Sequence, residues 1–329
     1  MTNVQAASVP LASHRFLGDL PGPRLIILGA VHGNETCGTR AIERLLLSLS
    51  RGEMRLLRGQ LTLVPVCNPL AFERGRREGD RNLNRRLQPT EQPVEFEDHI
   101  ANALCPLLAE HEVLLDLHSF HTPGEPFVMI GPPDNEGALE PFAHAQAEVR
   151  LARHLGVNRI VEGWLDTYAR GMAQRRQRAL THGEPGEQGA DLDPAYGVGT
   201  TEYMRSVGGY GVTLECGQHD DPQAPEVAWQ AILQTLSLLG MISRPLVAPQ
   251  DHPLLMRLTE MVDRWHPQDQ LTCDWQSFDP VQQGQVMGRR HDGQVVVAPR
   301  DGWLVFPNPA AGVGHEWFYF AQRSDRSLE

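Results

Sequence analysis

The sequence predicts an α/β fold with a smaller β-rich part at its C-terminal end, and three observations support this. First, residues 24–30 form a continuous apolar run after a Pro-Gly-Pro turn, as in a strand that is buried on both faces. Second, strand-like and helix-like segments alternate up to about Pro245, which favours a layered α/β domain. Third, helical periodicity fades after Pro245, where short β-rich runs separated by glycines replace it.

The α/β part begins with the strand at 24–30, which leads into a short polar loop. A helical pattern then begins near Thr36 or Thr39, since either residue can cap a helix. A second continuous apolar run, at 112–117, ends in His118. Further strands are predicted at 60–66, 127–130 and 211–214, and further helices at 97–110, 141–155 and 225–239.

The C-terminal part is predicted to be a small β domain. Its β-rich runs lie at 285–288, 294–298, 303–306 and 316–321. We therefore divide the chain into a catalytic α/β domain at 1–245 and a β-rich domain at 246–329. Residues 181–201, which are rich in glycine, proline and acids, form either a functional loop or a solvated surface loop.

The composition is that of a folded globular protein, with 41% hydrophobic and 21% charged residues in a chain of 329. The net charge of -12 argues against binding to nucleic acid, which requires clustered cations. All 29 basic residues are arginines, because the sequence contains no lysine. This excludes a Schiff-base lysine, a pyridoxal phosphate anchor and a P-loop lysine.

Cysteine usage and hydropathy indicate the compartment. The 5 cysteines are scattered and never form a C-x-x-C pair, which argues against a disulfide framework or a cysteine-rich zinc site. No signal-peptide pattern precedes Phe16, and the apolar stretches are far shorter than a membrane span. We expect a cytoplasmic protein with no membrane partner, and the sequence leaves a homo-oligomer open.

Three candidate metal ligands follow predicted strands: His32 and Glu35 after the first, and His118 after the run at 112–117. Ligand sites of open α/β sheets lie at the carboxyl ends of strands, so these side chains can converge. Two histidines and one carboxylate, with a position left for water, are typical of catalytic zinc. A lone histidine is more often structural, but the joint pattern favours a metal site. Asp116 is placed to orient an imidazole.

Hydrolysis of an acyl compound also needs a proton shuttle, and Glu215 is the candidate because it directly follows a predicted buried strand. The alternative interpretation of Glu215 is a surface carboxylate with no role in catalysis. The run REGDRNLNRR, at 77–86, is dense in guanidinium and amide groups, although such a run is more often a solvated face.

The motifs GAVHGNE, DRNLNR, DLH and LECG together resemble the succinylglutamate desuccinylase and aspartoacylase family of zinc-dependent deacylases. The resemblance covers most of the chain and implies the zinc carboxypeptidase-like fold, in which helices flank a mixed sheet. It implies that His32, Glu35 and His118 bind one zinc ion per chain and that Glu215 is the general base. The implied substrate is a small N-acylated amino acid or a related carboxylated amide, which is hydrolysed at its amide bond.

The resemblance also assigns roles within the arginine-rich run. Asn84 and Arg85 match a pair that binds a substrate carboxylate, and Arg77 matches the arginine that polarises the scissile carbonyl and stabilises the oxyanion. Asn82 stands where the family usually has aspartate, and Glu78 stands where an aromatic residue often follows the arginine. We expect these two departures to bear on acyl-group specificity more than on zinc chemistry.

The C-terminal part resembles the small β domain of these deacylases, which in turn resembles lipoyl and biotinyl carrier domains. With no lysine to acylate, carrier function is excluded, and we expect this part to wall the entrance of the active site. The family also uses a tyrosine from this part near the substrate. Tyr319, the last tyrosine, fits the core equally well.

Two alternatives stay open at this point. A metallocarboxypeptidase would use the same metal site on small peptides, although the NLNR motif and the C-terminal part argue against it. A non-catalytic sensor of a metal or a carboxylate would bind without turnover.

Overall fold

One large mixed sheet dominates the part of the chain that the computed structural model describes, residues 11–182, 193–249 and 252–328. The strands are β1 (His14–Leu17), β2 (Leu20–Leu28), β3 (Arg58–Val64), β4 (Val113–Phe120), β5 (Phe127–Met129), β6 (Arg159–Glu162), β7 (Tyr210–Gln218), β8 (Leu254–Asp263), β9 (Gln270–Leu271), β10 (Pro280–Val281), β11 (Val286–Arg289), β12 (Val295–Val297), β13 (Gly302–Val305) and β14 (Glu316–Arg323). The helices are α1 (Cys37–Ser50), α2 (Pro69–Glu73), α3 (Phe96–Ala109), α4 (Ala145–Arg153), α5 (Trp164–His182), α6 (Thr200–Ser206) and α7 (Ala224–Leu238).

The large sheet has the strand order β1-β3-β2-β4-β7-β5-β6-β8-β14-β13-β10, and a three-stranded sheet has the order β12-β11-β9. The pairs β2–β3, β2–β4 and β4–β7 are parallel, whereas β5 is antiparallel to β7 and β14 is antiparallel to β8. The predicted mixed α/β fold, with a large sheet and a smaller C-terminal β part, is confirmed.

The first strand is apolar on both faces because helices cover both faces of the sheet. Leu25 and Ile27 belong to a core cluster that includes residues of α1, α4 and α7. Ile26 and Leu28 point the other way, into a cluster that includes residues of α3. Helix α1 begins after Thr36, which is its N-cap and one of the two capping residues that the sequence offered.

The structure corrects the ends of two strands that carry site residues. Strands β4 and β7 run on to Phe120 and Gln218, so His118 and Glu215 lie inside strands and not beyond their ends. The prediction of strand ends at these residues was wrong because buried polar side chains interrupt an apolar pattern without interrupting the backbone ladder. The register of the parallel pair places His118 directly beside Glu215.

The C-terminal strands continue the large sheet, because β8 pairs in parallel with β6 and carries β14 on its other side. The division of the chain at 245/246 stays a prediction. Of the predicted loop at 181–201, residues 183–192 lie outside the described residues, and α6 begins at Thr200. None of the helices in the described part of the chain is long and apolar enough to cross a membrane.

Candidate active site

The loop between β2 and α1 positions the first two candidate metal ligands. His32 and Glu35 are 2% and 1% exposed. Gly33 allows this loop to lie against the backbone of α2, since a Cβ at this position would come within 2.0 Å of the Ala71 carbonyl carbon. Any larger residue at Gly33 would push the loop, and with it His32, away from the sheet.

The third candidate ligand, His118, is held on β4 by a chain of polar contacts. Its Nε2 lies 2.8 Å from Asp116 Oδ2, and the Thr200 hydroxyl donates to the same oxygen. Its Nδ1 lies 2.8 Å from Glu35 Oε2. Asp116 therefore orients the imidazole of His118, which is how carboxylates commonly support metal-binding histidines.

Asn82 fixes the protonation of His32. Its Oδ1 accepts a hydrogen bond from the Asn84 backbone N–H at 2.9 Å, so this atom is the amide oxygen. The same oxygen lies 3.0 Å from His32 Nε2, which must therefore carry the proton and donate. Nδ1 of His32 is left with a lone pair. Asn82 thus touches a candidate metal ligand, and its expected effect on acyl-group specificity stays a prediction.

The three ligand atoms fit a metal ion. His32 Nδ1 is buried without a hydrogen-bond partner and lies 2.9 Å from Glu35 Oε1, so two lone pairs face each other. A cation between them resolves this arrangement. One ligand atom from each of His32, Glu35 and His118 lies within 4.8 Å of the others, and two imidazoles with a carboxylate are a donor set that zinc accepts.

Electrostatics also favour a cation at this point. Burial, reinforced by Arg77, lowers the pKa of His32 to about 4, so the imidazole is neutral at pH 7, as a metal ligand must be. Burial opposes charge on His118 as well, but the carboxylates of Asp116 and Glu35 raise its pKa well above the usual value. The two carboxylates therefore stabilise positive charge at His118, whether it comes from a proton or from a metal.

Glu215 lies beside His118 in the sheet and is 7% exposed. Its Oε2 is buried and has no hydrogen-bond partner. Burial, together with the charge of Glu35, raises the pKa of Glu215 to about 8, although His118 and Arg77 oppose this shift. A carboxyl group in this setting can both take up and release a proton near neutral pH.

The arginine-rich run at 77–86 is a folded loop and not a solvated face. The buried carboxylate of Glu97, in the first turn of α3, accepts hydrogen bonds from the backbone N–H groups of Gly79, Asp80 and Arg81. This anchor fixes the turn from which Asn84 and Arg85 project. Sequence reasoning missed Glu97, and its position in the first turn of a helix gave no distinguishing signal.

Arg77 and Arg85 occupy different environments in this loop. Arg77 is about half exposed and donates to Glu35 Oε1 at 2.9 Å. Arg85 is buried, and its guanidinium lies against the neighbouring rings of Trp164 and Tyr168, at 4.8 and 4.9 Å from their centroids. Aromatic faces hold a guanidinium in place without neutralising it.

Asn84 links the loop to helix α6. Its Oδ1 accepts a hydrogen bond from the Thr200 backbone N–H at 2.9 Å. The contact requires glycine at 199, because a Cβ there would lie 2.1 Å from Asn84 Oδ1. Through Thr200, which also binds Asp116, the carboxylate-binding candidate Asn84 is connected to the support of His118.

These side chains surround a cavity of about 460 Å³. Of the predicted site residues, the cavity is lined by His32, Arg77, Asn84, Arg85, His118 and Glu215, while Glu35 lies behind them. The C-terminal part contributes Glu316 and Tyr319, so it forms part of the wall. The Tyr319 hydroxyl is buried, lines the cavity and has no hydrogen-bond partner, which places this tyrosine at the site.

Sequence reasoning missed Trp164 and Tyr168 on α5 and Glu316 on β14, and it left Tyr319 open between the site and the core. Trp164 and Tyr168 are four residues apart, a spacing that would align them on a helix, but α5 was not predicted because its sequence is rich in arginine and glutamine. Glu316 and Tyr319 are three residues apart on β14, which would place them on opposite faces of a regular strand. An irregularity between Glu316 and Phe318 shifts the pleat and lets both reach the cavity.

The chain is similar to known proteins in sequence and fold. Residues 21–153 match the family model described as succinylglutamate desuccinylase/aspartoacylase catalytic domain. A succinylglutamate desuccinylase/aspartoacylase from Rhodobacter sphaeroides is 17% identical, with a TM-score of 0.67 over 93% of this chain and 88% of that one. A succinylglutamate desuccinylase from Vibrio cholerae is 16% identical, with a TM-score of 0.66 over 92% of this chain and 82% of that one.

A third similar structure is the product-bound ectoine utilization protein EutE (DoeB) from Ruegeria pomeroyi, which is 20% identical. Its TM-score is 0.62 over 88% of this chain and 81% of that chain. At these identities the structures establish a common fold. The sequence match at 21–153 includes the loop of His32 and Glu35, the arginine-rich loop and His118. The chain thus resembles the succinylglutamate desuccinylase/aspartoacylase catalytic domain in sequence over residues 21–153, and it shares the fold of these structures over most of its length.

Proposed function

We propose that this protein is a zinc-dependent hydrolase that cleaves the amide bond of a small N-acylated amino acid or a related carboxylated amide. One observation carries the proposal: Glu215, with an unpartnered carboxylate oxygen, lies beside His118 in the same cavity as the His32–Glu35–His118 donor set. A base next to a metal-binding triad is what the hydrolysis of an amide by water requires.

His32, Glu35 and His118 would hold one zinc ion, which supplies a Lewis acid for the carbonyl and makes water more acidic. Glu215 takes a proton from the attacking water as the water oxygen bonds to the carbonyl carbon. When the C–N bond breaks, Glu215 returns this proton to the departing nitrogen. Arg77, whose guanidinium points toward Glu35, stabilises the negative charge that develops on the carbonyl oxygen.

Asn84, Arg85 and Tyr319 form the proposed carboxylate site. Arg85 is pre-oriented by the two aromatic rings, which limits the entropy lost on binding. The unpartnered hydroxyl of Tyr319 supplies a further donor from the C-terminal part. Charge-assisted hydrogen bonds from a rigid guanidinium are well suited to a carboxylate.

A small substrate is favoured over a peptide because the C-terminal part closes one side of the cavity. Phe306, Asn308 and Glu316 line it together with Tyr319. This wall distinguishes the proposal from a metallocarboxypeptidase with the same metal site. A non-catalytic sensor would not need a general base, whereas Glu215 is positioned to act as one. Cytoplasmic location and homo-oligomerisation stay predictions.

The test combines elemental analysis of the purified protein with an assay for free amine released from N-acetyl and N-succinyl amino acids. We expect about one zinc per chain and release that a chelator abolishes. Zinc without release from any member would favour a peptide substrate or a sensor. The absence of bound metal after reconstitution with zinc would overturn the metal site itself.

A further inference from the structure

We propose that the amine half of the substrate carries a single carboxylate, and that Glu202 and Glu316 exclude amines that carry a second one. The inference rests on the proposed function and narrows its substrate class. It follows from the ion pairs of the arginines that line the cavity, since the chain has no lysine to supply other fixed cations.

Among the described residues that line the cavity, the arginines are Arg77, Arg85, Arg175 and Arg205. Three of them already form ion pairs with carboxylates. Arg77 pairs with Glu35, and Arg175 and Arg205 have the partners described below. Arg85 forms no ion pair within 4.0 Å with the described residues: it contacts the rings of Trp164 and Tyr168, the Tyr168 hydroxyl and the Asn84 carbonyl oxygen, and it interacts with Glu316 only at longer range. The cavity therefore offers one unpaired guanidinium, which is enough for one carboxylate.

Arg205 is more than neutralised by its neighbours. Its guanidinium lies 2.7 Å from Glu140, 3.0 Å from Glu148 and 3.2 Å from Glu202, and it also donates to the Gly211 carbonyl oxygen. Four of its five N–H groups are used. Burial and the charges of Glu202 and Glu148 raise the pKa of Glu140 to about 7, which reflects the excess of negative charge in this cluster.

Arg175 is paired as well, in a balanced cluster in which Arg178 also binds Asp263. It binds both oxygens of Asp263, at 3.0 and 2.7 Å, and Glu316 at 3.2 Å. A fourth N–H group contacts the Met172 sulfur. Burial alone would raise the pKa of Glu316, but Arg175 and Arg85 lower it to about 2, so this carboxylate is charged at neutral pH.

A second carboxylate on the amine half would therefore find no unpaired cation among the described lining residues other than Arg85, and it would meet the carboxylates that line the same cavity. These carboxylates are Glu202, which is 8% exposed, and Glu316. Like charges in a desolvated cavity repel strongly, and such repulsion is a common source of specificity. A neutral or cationic side chain avoids this penalty.

The test uses pairs of substrates that differ only in an amide against a carboxylate: N-acetyl-L-glutamine with N-acetyl-L-glutamate, and N-acetyl-L-asparagine with N-acetyl-L-aspartate. We expect kcat/KM to be at least about 10-fold higher for the amide member of each pair, as follows from a modest charge repulsion. Equal values, or a preference for the acidic member, would overturn the inference.

Glu316→Gln should reduce this preference several-fold by improving the acidic members. The matched control is Glu260→Gln, which removes the same charge from an exposed position on the adjacent strand β8 and should leave the preference unchanged. A preference that Glu316→Gln and Glu202→Gln both leave intact, in variants with wild-type circular dichroism, would refute the assignment to these carboxylates.

Binding separates this inference from the proposed function. The same pairs are titrated calorimetrically into the Glu215→Gln variant, which holds substrate without turning it over. Tighter binding of the amide members supports the substrate class even if the wild type hydrolyses none of them, in which case the proposed function fails alone. Equal or tighter binding of the acidic members contradicts the substrate class, whatever the activity.

Discussion

The carboxylate of Glu316 provides a quantitative test of the electrostatics in the cavity wall. Its pKa is about 2 in the folded protein against an ordinary value of 4.5, and 23% of its side chain is exposed. Glu316→Gln removes the charge but keeps an oxygen that can accept a hydrogen bond from Arg175. The variant therefore isolates the charge of this group from its packing.

The expected loss of stability follows from linkage between protonation and folding. A pKa depressed by about 2.5 units corresponds to about 3 kcal/mol of stability, which is fully present above pH 4.5. It is lost as the pH falls toward 2, because the unfolded chain takes up the proton first. At pH 3 about 1.4 kcal/mol should remain. The difference between wild type and variant should thus be largest at pH 6 to 7 and shrink in acid.

The assay is urea unfolding of wild type and Glu316→Gln at several values between pH 3 and pH 7, with a chelator present so that both proteins stay metal-free. Other carboxylates with lowered pKa values, such as Asp98, contribute equally to both proteins and cancel in the difference. A stability difference that does not change with pH would refute the ion-pair reasoning. Glu260→Gln, on the exposed side of β8, should show little difference at any pH.

Three further predictions concern the reaction. Glu215→Gln should keep its zinc but lose about 10²- to 10⁴-fold in kcat, the usual contribution of a general acid–base group; full activity would exclude the proposed base. Arg85→Ala should raise KM roughly 10- to 100-fold while kcat changes less, and Arg85→Lys should rescue little because a point charge cannot replace the stacked fork; an unchanged KM would remove Arg85 from the carboxylate site. Chelation should abolish amine release and lower the melting temperature, and zinc should restore both; a protein indifferent to chelation would speak against the site of His32, Glu35 and His118.

The sequence predicted the elements whose patterns are local. Apolar runs located the strand that precedes the His32 loop and the strand that carries His118, and Thr36 located the start of α1. The convergence of the three candidate ligands also followed from sequence, since adjacent parallel strands end at one edge of the sheet. The contact between Glu215 and His118 depends on the β4–β7 register, which neither strand specifies alone.

The parts that sequence did not predict depend on partners distant along the chain. Helix α5 lacks a clear apolar stripe, so the aromatic pair around Arg85 was not found. The cavity-facing position of Tyr319 depends on an irregularity in β14. The period-2 alternation of a regular strand does not predict such an irregularity. The sequence relates Asn82 mainly to substrate specificity. Its contact with His32 joins two loops that are distant along the chain, so neither motif indicates it.

The absence of lysine gives the site its charge pattern. A guanidinium can bind several carboxylates at once through its planar fork, and both Arg205 and Arg175, which line the cavity, do so. The same planar group can instead lie against aromatic rings, which help to fix its position without neutralising its charge, and Arg85 contacts Trp164 and Tyr168 in this way. One kind of side chain thereby serves both as a neutralised structural clamp and as an available anion receptor. Whether carboxylates or rings contact an arginine decides which of the two it becomes, so we expect the cavity wall, as well as the candidate metal ligands, to determine which substrate charge is accepted.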